Sequence, residues 1–229
     1  MAGDVLHVRI GDEKSPIHRS LKPSTTQWRS FLKTASIAVL TGLVALVLTA
    51  HRFLAVTNPT GQGILVVEAW IPNKTLQEAA RVSQSGAYRY LVVIGSQIDA
   101  SDTSRNYADL AVENLAKLGA GQNKVVKIAT PYQSETRTFA EAEAFRKWLL
   151  GSGVETCCID VFTVGVHARK SWITFQAVLG NTYHVGVIAG PEEYNPKYWV
   201  VSRRGLWLVL RNLTGYLYTR YQIVFRSQR

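Results

Sequence analysis

Five short apolar runs, separated by stretches of helical length, constrain this chain more than any other feature. They are ILVV at Ile64 to Val67, YLVVI at Tyr90 to Ile94, VVKIA at Val125 to Ala129, CIDVFTV at Cys158 to Val164 and VGVIA at Val185 to Ala189. The runs are largely continuous rather than alternating, which marks strands covered on both faces. The intervening segments carry helix punctuation. Lys74 to Ser85 has Thr75 and Glu78 at capping-box spacing and Gly86 at its stop, and Asn106 to Leu118 ends at Gly119. Thr138 to Leu150 has a second capping box, Thr138 with Glu141, and an apolar stripe of Phe139, Ala142, Phe145 and Leu149. Arg169 to Leu179 and Ser202 to Tyr221 complete the set. This alternation predicts an α/β fold built on a mostly parallel sheet of about five strands, with helices on both faces.

The N-terminal quarter has a different composition. Residues 1 to about 30 are largely polar, with turn-rich SPIH and KPSTTQ, and read as a flexible tail. Thr34 to Ala50 then runs 17 residues without a charge, flanked by Phe31, Leu32 and Phe53 to Val56. At about 1.5 Å per residue that core spans about 25 Å, and the flanks complete a bilayer crossing. An uncleaved anchor over 34–56 is expected. A cleavable signal peptide would need an unusually long leader, and Leu48 and Ala50 make a poor cleavage site. Six Lys/Arg precede the span within residues 1–33 and Arg52 alone lies at its far end, which places a basic tail (1–33) in the cytoplasm and the main domain (64–229) outside. Residues 57–63 read as a linker.

Net charge is +10, yet no basic run with interleaved aromatics tracks a nucleic-acid backbone, so nucleic-acid binding is not expected. Cys157 and Cys158 are adjacent and read as two buried, unpaired small residues, because a bridge between them would be strained. No metal-ligand spacing is present, and nothing in the sequence names a cofactor.

In an open parallel sheet, ligands sit beyond the carboxyl ends of the strands. That rule selects Glu68 after the first run, Gly95 and Ser96 after the second, and Ser134 to Thr138 after the third. It selects Gly165, His167 and Arg169 after the fourth, and Glu192 to Tyr194 after the fifth. Glu68 suits a general base or a hydroxyl-holding carboxylate, and equally an ordinary salt bridge. Gly95-Ser96 offers free backbone N–H groups at a turn. Arg137 and Thr138 join a cation to a helix N-terminus, a pairing that favours phosphate. His167 suits general acid–base work or a purely structural role. Arg169 suits pairing with Glu68 or with a phosphate, or plain solvation. No GxSxG elbow is present, so acyl-transfer hydrolysis is not expected.

Three segments share this order. A strand leads to Glu68 and another to Gly-Ser; then come SETRTFAEAEAF at Ser134 to Phe145 and TVGVHARKSWITF at Thr163 to Phe175. In this the chain resembles the YdcF-like (SanA/ElyC) family from about Ile64 to Tyr221. Thr138, Glu141 and Ala142 match the middle motif, and Thr163, His167 and Ser171 the last. The family's Gly-Gly turn is here Gly95-Ser96, its Gly-rich first turn is Glu68-Ala69-Trp70, and its arginine falls on Lys170 with Arg169 one place early. The resemblance implies a Rossmann-like three-layer α/β/α fold behind one N-terminal transmembrane helix, a role in bacterial cell-envelope biogenesis at the inner membrane, and function for His167 and Arg137.

Two functions from different classes compete. One is an envelope enzyme or lipid-carrier factor acting on a phosphorylated, sugar-like or nucleotide-like ligand, with Glu68 and His167 catalytic and Gly95, Ser96, Arg137, Thr138 and Arg169 binding. The other is a non-catalytic binding or scaffolding module at the membrane. A weaker third, a nucleotide-dependent transferase, has only Asp99 to hold a ribose. The aromatic and arginine-rich final helix is expected to pack its rings on the sheet, with contact to a membrane surface as the alternative.

Overall fold

The computed structural model describes residues 25–85, 87–101, 105–120, 124–132 and 137–226. The chain divides into two compact units, Met1–Val44 and Ala45–Arg229. Helix α1 (Thr25–Leu54) begins about nine residues before the uncharged run, so Thr25 to Ser30 are helical rather than part of a flexible tail. The rest of that tail, SPIH included, lies outside the described residues. α1 is long and apolar enough over Gln27–Leu54 to cross a membrane. Two of its hydroxyls bond back within the helix. Thr34 donates to the Ser30 carbonyl at 2.6 Å and Thr49 to the Ala45 carbonyl at 2.8 Å, as an apolar surrounding demands.

The second unit is a five-stranded, all-parallel sheet with flanking helices, a Rossmann-like α/β fold. In chain order it runs β1 (Gln62–Glu68), α2 (Asn73–Ser85), β2 (Ala87–Ser96), α3 (Tyr107–Lys117), β3 (Lys124–Thr130), α4 (Arg137–Gly151), β4 (Cys158–Val164), α5 (Ala168–Leu179), β5 (His184–Gly190) and α6 (Arg203–Arg226). The sheet order is β3-β2-β1-β4-β5. The chain therefore reverses direction across the sheet between β1 and β4, which pair from Ile64↔Ile159 to Val67↔Phe162. A crevice opens at such a switch point beyond the carboxyl ends of the two strands.

Strand parity sorts the core. Leu65, Val67, Leu91, Val93 and Phe162 face α2 and α3. Ile64, Val66, Val92, Ile94, Ile159 and Val161 face α4 and α5, where Phe145 and Phe175 meet with ring centroids 6.1 Å apart. Truncating either fully buried ring to Ala would cost about 3–5 kcal/mol. The apolar stripe of Phe139, Ala142, Phe145 and Leu149 is buried, as its helical spacing requires.

Several local expectations change. Residues 57–63 are tied to the sheet: Asn58 bridges Val187, and the Thr60 and Gly61 N–H groups donate to Asp160 at 2.7 and 2.8 Å. Neither capping box forms. Thr75 lies inside α2 and donates to the Pro191 carbonyl, while Glu141 turns inward and is fully buried. Cys157 and Cys158 are joined as a vicinal disulfide, with Cys157 exposed at the strand entrance; the strand alternation that argued for two separate buried thiols starts only at Cys158. α6 packs through Val209 and Thr219, with Trp199 buried beside its start. Its rings do not face the sheet: Trp207 is 64% exposed, Tyr218 51% and Tyr221 58%.

Candidate functional site

Parity brings three predicted strand ends onto one face. Glu68 shares its face with Ile64 and Val66, Ser96 with Val92 and Ile94, and Thr163 with Ile159 and Val161. That is the face covered by α4 and α5, so these polar ends lie under the N-termini of two helices. Glu68 has no solvent exposure. The Ser171 hydroxyl of α5 reaches both its oxygens, at 3.0 and 2.9 Å. Burial raises the Glu68 carboxyl above the usual range, against the pull of Thr163, Ser171, Lys170 and Arg137.

Glu141, one turn into α4, is the second carboxylate of the cluster. Both of its oxygens are sealed from solvent with no well-formed hydrogen bond among the described residues. Burial, and then the charge of Glu68, hold its carboxyl well above the usual range, while Arg137, Lys170 and the Ser96 backbone N–H pull the other way. A buried carboxylate short of donors costs more charged than protonated, so of the two carboxyls Glu141 holds a proton more readily.

His167 closes the tight turn between β4 and α5. Its Nδ1 lies 2.9 Å from Asn212 Oδ1, and Asn212 donates its own amide to the Leu208 carbonyl at 2.8 Å. That second bond orients the Asn212 oxygen toward the ring, so the imidazole proton sits on Nδ1. Burial first, then the positive charge of Lys170, drive the His167 pKa well below its ordinary value. The ring is therefore neutral, with a bare Nε2. That nitrogen has no partner and lies 3.9 Å from Glu68 Oε2.

Beyond His167 is a cavity of about 590 Å³, a size that suits a small ligand. Trp70, Arg137, Thr138, His167, Lys170 and Glu192 line it from the sheet side, and Arg204, Arg211, Asn212 and Tyr218 from α6. The Trp70 ring meets His167 edge-on at 4.7 Å and carries the Arg137 guanidinium at 4.9 Å. Glu192 ties β5 to the His167 turn by accepting the Val166 N–H at 2.6 Å. Gly165 is glycine for that reason, since a Cβ there would stand 1.8 Å from Glu192 Oε1. Arg204 is paired with Glu193. Among the described residues, Arg137, Lys170 and Arg211 form no ion pair. Burial lowers the Lys170 pKa.

Of the predicted residues, Arg137, Thr138 and His167 line the cavity, with Glu68 and Ser96 in the layer behind it. Gly95 lies outside it: a Cβ there would meet Ala69, Ala108 and Tyr107 within 3.0 Å, so the glycine serves the close approach of α3 to β2. Arg169 also points elsewhere. Its Nε donates to the Phe53 carbonyl and its guanidinium stacks 4.1 Å over the Phe53 ring, clamping the last turn of α1. Lys170, the next residue, lines the cavity instead. Ser134 to Thr136 lie outside the described residues. Asp99 accepts from Ser101 and does not line the cavity.

Chemically, the cavity offers three cations, the Thr138 hydroxyl and the first turn of α4 to an anion, behind which two carboxyls and a neutral imidazole can hold protons. Nε2 of His167 and both buried carboxylates lack solvent contact, so none of them meets a ligand without side-chain movement. Comparisons with family models, curated proteins and solved structures found no match.

Proposed function

We propose that this chain is a membrane-anchored, YdcF-like domain protein that binds a phosphorylated, sugar-like or nucleotide-like ligand in bacterial cell-envelope biogenesis. One observation carries the ligand class. Arg137, Lys170 and Arg211 converge on a ligand-sized cavity and none forms a direct ion pair with a carboxylate among the described residues. Protonation of Glu141 leaves the cluster with surplus positive charge, which a phosphate would balance. The envelope setting is supported by the motif resemblance, by the apolar α1 and by the excess of Lys and Arg before it, which favours a cytoplasmic N-terminus and an extracytoplasmic domain on the inner membrane.

Catalysis would run through His167, whose bare Nε2 faces Glu68 and could take a proton from a bound hydroxyl or water if the ring turned toward the cavity. The non-catalytic binding module is the second reading, favoured by the sealed state of Nε2 and Glu68.

Calorimetric titration of the full chain in detergent with inorganic phosphate and pyrophosphate tests the ligand class. Saturable binding is expected, weakened about tenfold or more by Arg137→Ala and by Lys170→Ala, the range for losing a charge-assisted bond. No binding, or equal binding by both variants, would remove the cavity from consideration.

A further inference from the structure

Among the described residues, no other element covers the outer face of α6. Trp207, Leu210, Leu217, Tyr218, Tyr221 and Phe225 are each at least half exposed. At 100° per residue they fall within an arc of roughly 100°, opposite the buried Gly205, Val209 and Thr219. Exposed arginines flank or interrupt this stripe at Arg203, Arg211 and Arg220, and α6 contains no acidic residue at all. A soluble surface rarely shows so many large side chains in one strip. An apolar stripe with Trp and Tyr, edged by arginine and free of acids, has the composition of a helix lying in a bilayer interface.

The fold supplies a location as well. The end of the apolar α1 packs on the inner side of the same helix: Ala50 and Leu54 share a buried cluster with Val209 and Trp199, and Phe53 meets Tyr216 edge-on at 5.3 Å. The chain thus enters this unit against α6, where a bilayer surface would begin. We infer that α6 docks its outer face into the headgroup region of an anionic membrane. Because α6 also forms one wall of the cavity, the cavity is then held at the lipid surface. The inference rests on exposure and charge, not on what the cavity binds.

Nitroxide labels read depth directly. Leu210→Cys and Tyr221→Cys would be labelled in the full chain, reconstituted in vesicles of phosphatidylcholine containing phosphatidylglycerol. Lys147→Cys on the exposed side of α4 serves as control, and the unsubstituted chain as blank for Cys157 and Cys158. Collisions with oxygen should exceed those with a water-soluble nickel chelate at 210 and 221, with the opposite order at 147. Replacing Arg203 and Arg220 by Gln should lower the docking constant about fivefold per residue, from about 1 kcal/mol each. Nickel accessibility at 210 and 221 equal to that at 147 overturns the inference. Spin–spin broadening removed by dilution with unlabelled chain also overturns it, placing a second copy on the face. An unchanged collision ratio in the double arginine variant overturns the anionic-lipid assignment.

Discussion

Two buried acidic sites sit at opposite ends of the same sheet, and they are built in opposite ways. At the amino end, Asp160 is fully buried and fully served: it accepts from Thr60 N–H, Gly61 N–H and the Tyr88 hydroxyl, all within 2.8 Å. At the carboxyl end, Ser171 serves both Glu68 oxygens, Glu141 lacks a well-formed hydrogen bond among the described residues, and His167 keeps a bare nitrogen. Folding alone accounts for the first site, which closes the linker onto β4 and β2. It does not account for the second, because sealing two carboxyls with so few donors works against stability. An unsatisfied cluster beside a cavity at a topological switch point is what binding would require, and satisfied burial elsewhere shows that the fold can do otherwise.

Substitutions can break that contrast, and the largest effect is expected at the amino end. Asp160→Ala strands two backbone donors and a phenol, and should cost about 3–4 kcal/mol in urea unfolding, with about 1 kcal/mol for Tyr88→Phe. Next come two glycines, one at each end. Gly186→Ala puts a Cβ 2.1 Å from Asp160 Oδ1 and 2.8 Å from the Asn58 and Thr60 backbone, and should cost about 2–3 kcal/mol. Gly165→Ala meets first the Glu192 side chain, which can swing away, so even with the strain of a positive φ its loss should be smaller and should appear mainly as weaker pyrophosphate binding in titration.

The pH response separates the ends further. The folded state holds a proton on Glu141 more tightly than the unfolded chain does. Its contribution is therefore full below the ordinary carboxylate range and is lost as pH rises through the raised folded value. His167 acts in the other direction. Its folded pKa is depressed, so stability falls as pH drops below the ordinary histidine value of 6.5. Glu141→Gln should remove Glu141's share of that loss and stabilise the protein above the raised folded value, read as the urea midpoint across a pH series. The smallest effect belongs to Arg169→Ala, expected to leave pyrophosphate affinity unchanged while loosening the last turn of α1 by about 0.5–1 kcal/mol.

The contrast also explains what the chain's sequence makes legible. Continuous apolar runs and their spacing predict a mostly parallel sheet, which is parallel throughout, and the strand-end rule selects Glu68, Ser96, Arg137, Thr138 and His167, with Gly95 and Arg169 beside them, because parity and strand length are local properties. Glu141 is hidden by its spacing from Thr138, which imitates a capping box; only the packing of α4 over β2 and β3 shows that the carboxylate faces inward. The choice between Arg169 and Lys170 is a single 100° step around α5, decided by where α1 ends, a contact 116 residues away in the chain. Arg211 and Asn212 complete the cavity from α6, whose docking side depends on Val166, Trp199 and Leu54 together, and no local pattern announces it.

The claim that the carboxyl-end cluster serves a ligand is tested most directly by urea unfolding of the full chain in detergent, with and without pyrophosphate, for the wild type and for Lys170→Ala. The account predicts a raised midpoint for the wild type with ligand, and a Lys170→Ala chain that is equally stable or more so without ligand yet gains nothing from it. A Lys170→Ala chain that loses stability by itself and keeps the full ligand-dependent gain would show that the cluster is a structural element like Asp160, and would contradict the account.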